Sequence, residues 1–232
     1  MINLKPLKLD TLIKKMKHGE YFTLSRYKDG EFYAILQNKV NGNNCDKHKY
    51  FPDMGEALLN SLKHPKDHLY GMQPYALRCA GKEIEALFEK HKIDIVWHES
   101  DMIHTANMNG ELFPLIEQLK KMDVVIIGPE RLKTVRGKIL DNVELVTVPL
   151  VDCWLHRNII EPEILKIAGE GKIYLFSSSM PTAVFIDDLF PLIGKNSWMI
   201  DFGSIWESLL GINIRSYQRG MPELVRRKNL GL

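Results

Sequence analysis

Two carboxylates either side of a glycine, in Arg26-Tyr27-Lys28-Asp29-Gly30-Glu31, are the residues of this chain best suited to share a divalent cation. Hard cations such as Mn²⁺ or Mg²⁺ take oxygen ligands and complete their shell with phosphate and water. Residues two apart in extended backbone point to the same side, so Asp29 and Glu31 could face one ion. Gly30 lets a ligand approach the backbone closely, and Arg26 offers a planar donor fork for a phosphate. A plain Asp-Gly turn followed by a first-turn helical glutamate would leave the same letters.

Three further stretches carry groups that could act on a ligand. Trp97-His98-Glu99-Ser100-Asp101, with His104 beyond it, supplies candidates for a general base, namely His98, Glu99 and Asp101. It lacks the His-Glu-x-x-His spacing of a zinc site. Ser177-Ser178-Ser179, then Pro181 and Thr182, offers hydroxyls and free backbone N–H groups to a phosphate or ribose. Asp201-Phe202-Gly203-Ser204 joins an acid, a glycine and a helix cap. Ordinary N-capping accounts for each of these as well. No G-x-G-x-x-G follows a strand, and G-x-x-x-x-G-K-[ST] and G-x-S-x-G are absent, which removes the usual support for dinucleotide, P-loop and α/β-hydrolase chemistry.

All of these stretches follow a segment that reads as a strand. Tyr21 to Tyr27, Leu69 to Met72, Ile93 to Trp97, Asp123 to Gly128, Val143 to Val148, Lys172 to Ser177 and Trp198 to Phe202 are short and apolar or β-favouring. Between them, helical spacing appears over Asp10 to His18, Glu31 to Gln37, Met54 to Lys63, Lys82 to His91, Leu112 to Met122, Pro162 to Ala168, Pro181 to Leu189 and Ile205 to Leu210. Alternating strands and helices predict an α/β fold with one doubly wound, mainly parallel, Rossmann-like sheet. Ligands of such sheets bind outside the carboxyl ends of the strands. Asn38 to Phe51 is a polar loop whose Asn41, Asn43, Asn44, Asp46, His48 and Tyr50 suit a saccharide.

Composition narrows the class. With 45% hydrophobic and 26% charged residues over 232 positions, the chain can bury a core. A net charge of +2 calls for no polyanionic partner. Cys45, Cys79 and Cys153 match no metal or redox spacing and read as reduced thiols. No apolar run approaches the roughly 20 residues of a membrane span, so a cytoplasmic protein is expected. Residues 1–232 read as a single domain with a basic tail over 213–232, where Arg215, Arg219, Arg226, Arg227 and Lys228 face one acid, Glu223. The tail suits a polyanion such as DNA, or is a solvated segment packed by Tyr217 and Leu224.

Ser25 to Phe32 resembles the R-[FY]-G-D-G-E segment of glycosyltransferases with the GT-D fold. Gly171 to Ser177 with Pro181-Thr182-Ala183, and Trp198 to Ser204 with Asp201 and Gly203, are similar to that family's later strand ends. The resemblance runs from about residue 22 to about 211. Lys28 departs from it, standing where the family has glycine, and Ser178 or Ser179 stands where glycine is common. The resemblance implies the GT-D fold and a metal-dependent hexosyl- or pentosyltransferase using a nucleotide-sugar, in first place a UDP-sugar. Asp29 and Glu31 would hold Mn²⁺ or Mg²⁺, and Arg26, Tyr27, Lys28, Gly30, Ser177, Ser178, Ser179, Thr182, Asp201 and Gly203 would bind the donor. Asp29→Ala and Glu31→Ala are each expected to fold and to lose transfer. The acceptor expected is a glycan or glycoconjugate first and a modified DNA base second. The alternatives are a metal-dependent phosphohydrolase or nucleotidyltransferase and a nucleic-acid-binding accessory protein.

Overall fold

The computed structural model describes residues 2–38, 42–45, 47–212 and 215–232, without the side chain of Tyr217. Its strands are β1 Thr23–Tyr27, β2 Leu69–Met72, β3 Trp97–Glu99, β4 Asp123–Pro129, β5 Val143–Val148, β6 Lys172–Phe176 and β7 Trp198–Asp201. They form one seven-stranded sheet in the order β3-β2-β1-β7-β6-β4-β5, and every strand pair is parallel. The α/β, doubly wound reading therefore holds.

The helices are α1 Leu9–Lys17, α2 Asp29–Ile35, α3 Pro52–Lys63, α4 Pro74–His91, α5 Met102–Asn109, α6 Phe113–Leu119, α7 Val135–Lys138, α8 Arg157–Lys166, α9 Thr182–Ile193, α10 Ile205–Leu209, α11 Ser216–Arg219 and α12 Glu223–Leu230. Side chains alternate across the strands, so each strand feeds two cores. Leu24, Val124, Ile126, Leu175 and Ile200 pack with α1, α6 and α10 on one face. On the other face, Tyr27 and Met72 pack with α2, α3 and α4, and Val125, Ile127 and Phe176 pack with α8 and α9. Burial on both faces is why β4 and β6 carry unbroken apolar runs.

Several boundaries differ from the sequence expectation. The strand expected over Ile93 to Trp97 is β3, Trp97–Glu99. Lys92 ends α4 in the left-handed conformation (φ 54°), and Ile93 to Val96 lead from that cap to the sheet. β3 is an edge strand, its outer side bridged by the backbone of Lys5. Residues 102–109, for which the sequence predicts no helix, form α5. α4 begins eight residues before Lys82, with Pro74 in its first turn, and is kinked at Ala80. α8 contains Pro162 inside the helix rather than at its start.

The basic tail also differs from the solvated segment considered above. α12 packs against α5, α6 and α10. Asn229 is fully buried there: its Oδ1 accepts the Leu112 N–H at 2.9 Å, and its Nδ2 donates to the Asn107 carbonyl at 2.8 Å. Leu224, expected to anchor the tail, is 63% exposed. Buried amide hydrogen bonds together with Leu230, rather than Leu224, hold this segment down.

Candidate active site

In a parallel sheet all carboxyl ends lie along one edge, and here the loops leaving all seven strands line one cleft of about 940 Å³. β1 and β7 are neighbours although 170 residues separate them in the chain, and the helices that follow them, α2 and α10, switch to opposite faces of the sheet. Ligand clefts of open α/β sheets form at such points.

The centre of the cleft is ionic. Arg26, at the end of β1, donates from Nη2 to Asp201 Oδ1 at the end of β7, at 2.7 Å. The two side chains are only 3% and 6% exposed. Burial raises the Asp201 carboxyl, but Arg26 first and Lys28 next outweigh it and hold the acid below its ordinary value. Lys28 stands beside the pair; burial, then Arg26, lowers its ammonium. Gly203 makes this packing possible. Its φ is +62°, and a Cβ there would lie 2.7 Å from Arg26 Nη2, so a side chain would meet both strain and collision.

Asp29 and Glu31 line the cleft, but not in the way extended backbone would place them. Both belong to the first turn of α2, where residues two apart diverge by about 200° around the axis. Asp29 is partly buried and makes no hydrogen bond or ion pair among the described residues. Glu31 is buried, and its Oε2 accepts the Lys28 N–H at 2.8 Å, capping the helix. Burial is the main cause that pushes its carboxyl up to about 7, with Lys28 opposing. Glu31→Ala would thus uncap a buried helix start, and is not the neutral probe expected from the sequence.

That shift gives a testable pH dependence. Between about 4.5 and 7 the native state holds the Glu31 proton more tightly than the unfolded chain does. Stability conferred by this group is therefore present below about 4.5 and lost as pH rises to about 7. Glu31→Gln stays neutral and retains an acceptor for Lys28 N–H. In metal-free buffer it is expected to be more stable than wild type at pH 8, by on the order of 2 kcal/mol, and equal at pH 4. Parallel melting curves across this range would refute a buried protonated Glu31.

After β6, Ser177, Ser178 and Ser179 all reach the cleft. Ser177 Oγ is buried without a hydrogen-bond partner among the described residues, as is Arg26 Nε. Buried polar atoms left open at a cleft wall are poised for a ligand. Ser178 spends its hydroxyl on Thr182 Oγ1 at 2.7 Å. Thr182 is buried and does not line the cleft, so it supports the loop instead of binding. Ser179 adopts φ 62°, a strained conformation for a residue with a Cβ, and its Oγ accepts from Asn44 Nδ2 at 3.2 Å.

Tyr27 is a correction of the same kind. It is fully buried, with Oη 2.7 Å from Ser61 Oγ, because the β pleat turns it to the face opposite Arg26. His98 and Glu99 also lie outside the cleft lining, being part of edge strand β3 itself; Asp101 and His104, beyond the strand end, are in it. From the polar loop, Asn43, Asn44, Lys47, His48 and Tyr50 line the cleft, while Asn41 and Asp46 lie outside the described residues.

Sequence reasoning missed Tyr75 and Arg131, both at the cleft. Each lies two or three residues past a strand end, a position that the rule on carboxyl-end loops could have marked. Arg131 pairs with buried Glu207 at 3.0 Å. Arg215 and Arg219, read as part of the basic tail, are cleft residues too.

The donor set fits a hard cation only in part. No group of three His, Cys, Asp or Glu side chains that could hold a metal occurs among the described residues. Asp29, open to the cleft, with Glu31 beside it, fits an ion whose other ligands are phosphate and water.

The comparisons bear on the fold. Neither a protein-family profile nor a curated protein sequence matches the chain. Two solved structures are similar in three dimensions, each with a TM-score of 0.60 over 87% of this chain and 79% of the other. One, at 16% identity, is described by the words "the highly conserved domain of unknown function 1792 has a distinct glycosyltransferase fold". The other, at 17% identity, is a selenomethionine-substituted structure of domain of unknown function 1792. The chain shares that glycosyltransferase fold, in agreement with the GT-D resemblance, and no helix among the described residues is long and apolar enough to cross a membrane.

Proposed function

We propose that this protein is a glycosyltransferase that moves a sugar from a nucleotide-sugar, in first place a UDP-sugar, to a hydroxyl acceptor. The observation that carries the reading is the buried Arg26–Asp201 pair with Lys28 at its side, opening into the cleft at the β1–β7 switch of a glycosyltransferase fold. A diphosphate leaving group gathers negative charge as the glycosidic bond breaks, and preorganised cations stabilise that charge without reorganising. Asp201 serves by fixing the Arg26 guanidinium, which lines the cleft and keeps a buried Nε without a hydrogen-bond partner among the described residues. Ser177 Oγ adds an unspent hydroxyl at the same wall.

Mn²⁺ or Mg²⁺ belongs to this proposal, with Asp29 and Glu31 as its protein ligands. Such an ion would act as a Lewis acid on the diphosphate oxygens. Asp29 brings a carboxylate without a competing partner, and Glu31 must give up its proton to join it, which couples metal affinity to pH. A glycan or glycoconjugate stays ahead of a DNA base as acceptor. The basic tail is folded against the body, and Arg226 is paired with Glu223, so it does not form a separate arm for a polyanion.

The experiment is a thermal-shift series of nucleotide-sugars with and without Mn²⁺, joined to a product assay. A donor at about a hundredfold over its Kd is expected to raise the melting midpoint by roughly 5 °C or more. No shift with any nucleotide-sugar, under either condition, would overturn the reading. Release of free sugar at one rate, whatever acceptor is added, would favour a hydrolase.

A further inference from the structure

We propose that the acceptor, a sugar hydroxyl, binds at the β2–β3 end of the cleft between Tyr75 and the Asp101–His104 pair, and that His104 takes its proton. This rests on the donor reading above and assigns the half of the cleft that the reading leaves open.

The cleft has two chemically different ends about its ionic centre. Toward β4 and β5 its wall is largely apolar, with Pro129, Val148, Pro149, Leu150 and Val151, and the basic groups there are engaged: His48 Nδ1 accepts the Asp152 N–H at 3.0 Å, and Glu207 pairs with Arg131 at 3.0 Å. Toward β2 and β3 it is Gln73, Tyr75, Asp101 and His104. Tyr75 is 47% exposed at the start of α4, and an open aromatic face of this kind can pack against the C–H face of a sugar ring. Asp101 immediately precedes α5, its carbonyl accepting the Thr105 N–H at 2.7 Å, and His104 lies on the first turn. Three residues apart, they are neighbours on the helix surface.

An acid beside an imidazole at a cleft wall is the arrangement by which proteins orient a general base. Among the charges that His104 feels are Asp101 on its own element, and Lys28, Arg26 and Arg215 across the cleft. Burial is the largest influence and lowers its pKa; Asp101 opposes, and the three cations reinforce the lowering. His104 is therefore a neutral imidazole at neutral pH, able to accept a proton. His98 and Glu99 cannot substitute for it, because neither lines the cleft.

The step balances without any further reactant. The acceptor O–H proton passes to a ring nitrogen of His104 while the acceptor oxygen bonds to the anomeric carbon. The bond from that carbon to the diphosphate oxygen breaks, and the nucleoside diphosphate departs with the electron pair. One displacement of this kind inverts the anomeric centre. Water in the same position would give slow hydrolysis through the same base.

The test uses the full chain, UDP-hexoses as donors, methyl glycosides as acceptors and UDP as binding probe. His104→Gln is expected to lose about 10²- to 10⁴-fold in turnover, with water or glycoside as acceptor, and to keep UDP affinity within about threefold. The acid limb of wild-type turnover, set below the ordinary histidine value of about 6.5, should vanish in the variant. Tyr75→Ala should raise the KM for the glycoside about tenfold. Turnover of His104→Gln within about threefold of wild type, an unchanged acid limb, or a product of retained configuration would each overturn this inference while leaving the donor reading intact. Failure of wild type to bind UDP or to turn over any UDP-hexose would overturn both.

Discussion

Arg26→Ala is expected to destabilise the protein by about 3–5 kcal/mol and to abolish nucleotide-sugar binding. The side chain removed is 3% exposed, and its partner Asp201 is 6% exposed, so truncation strands a carboxylate that water cannot reach. Lys28 is near enough to recover some of the lost attraction, which favours the lower end of that range. Pairing the substitution with Asp201→Asn separates two roles. Neutralising both partners removes the uncompensated charge, so the double variant should regain most of the stability. It should still bind no donor, because the cation is gone. Urea unfolding together with UDP titration of the two variants provides the check. Full donor affinity in the double variant would mean that the ion pair only holds β1 to β7. The pH response follows from the same pair: Asp201 has a lowered pKa in the fold. Its stabilising contribution is present above the unfolded carboxylate value and is lost as pH falls through the folded one. In Arg26→Ala that acid-side loss should be much smaller.

Asp29→Asn should leave the fold intact and lower transfer by about 10²- to 10³-fold. Asp29 is partly buried and unpaired among the described residues, so its structural cost is limited to one acid at a helix N-terminus, about 0.3–1 kcal/mol. The same variant should lose the additional thermal shift that Mn²⁺ confers in the presence of UDP, while the shift caused by UDP alone survives through Arg26 and Lys28. Steady-state turnover across a Mn²⁺ series tests this directly. Wild-type turnover and an unchanged Mn²⁺ dependence in Asp29→Asn would remove Asp29 from the metal site. Because Asp29 has no hydrogen-bond or ion-pair partner to strand among the described residues, its effect is read in turnover, whereas that of Arg26 is read in both stability and binding.

Much of the scaffold is legible in the order of residues. β2 and β5 coincide with their expected spans, Leu69 to Met72 and Val143 to Val148, because short β-rich runs bounded by polar residues have little else to become. Ile93 to Trp97 misled for a physical reason. Apolar residues also line the approach to a strand, and the left-handed turn at Lys92 moves the ladder onto Trp97–Glu99. α5 was hidden because its residues, Met102–Asn109, mix polar and apolar side chains with weak periodicity, and its burial is shared with the distant α12.

The site divides along the same line. Which residues carry chemistry, and that they gather at strand ends, follows from local sequence: a parallel sheet brings every carboxyl end to one edge whatever its strand order. How they meet does not. Arg26 and Asp201 are 175 residues apart and pair only because β1 and β7 are adjacent in the sheet. Tyr27 and Thr182 turn into the core, and Asp29 and Glu31 diverge, because side-chain direction depends on the pleat and on where a strand gives way to a helix. The pKa of Glu31 and the neutrality of His104 arise from burial and from charges on other elements. Local sequence selects the elements and their polar ends; long-range packing decides which charges share a low-dielectric space, since Coulomb interactions act through distance and not through chain order.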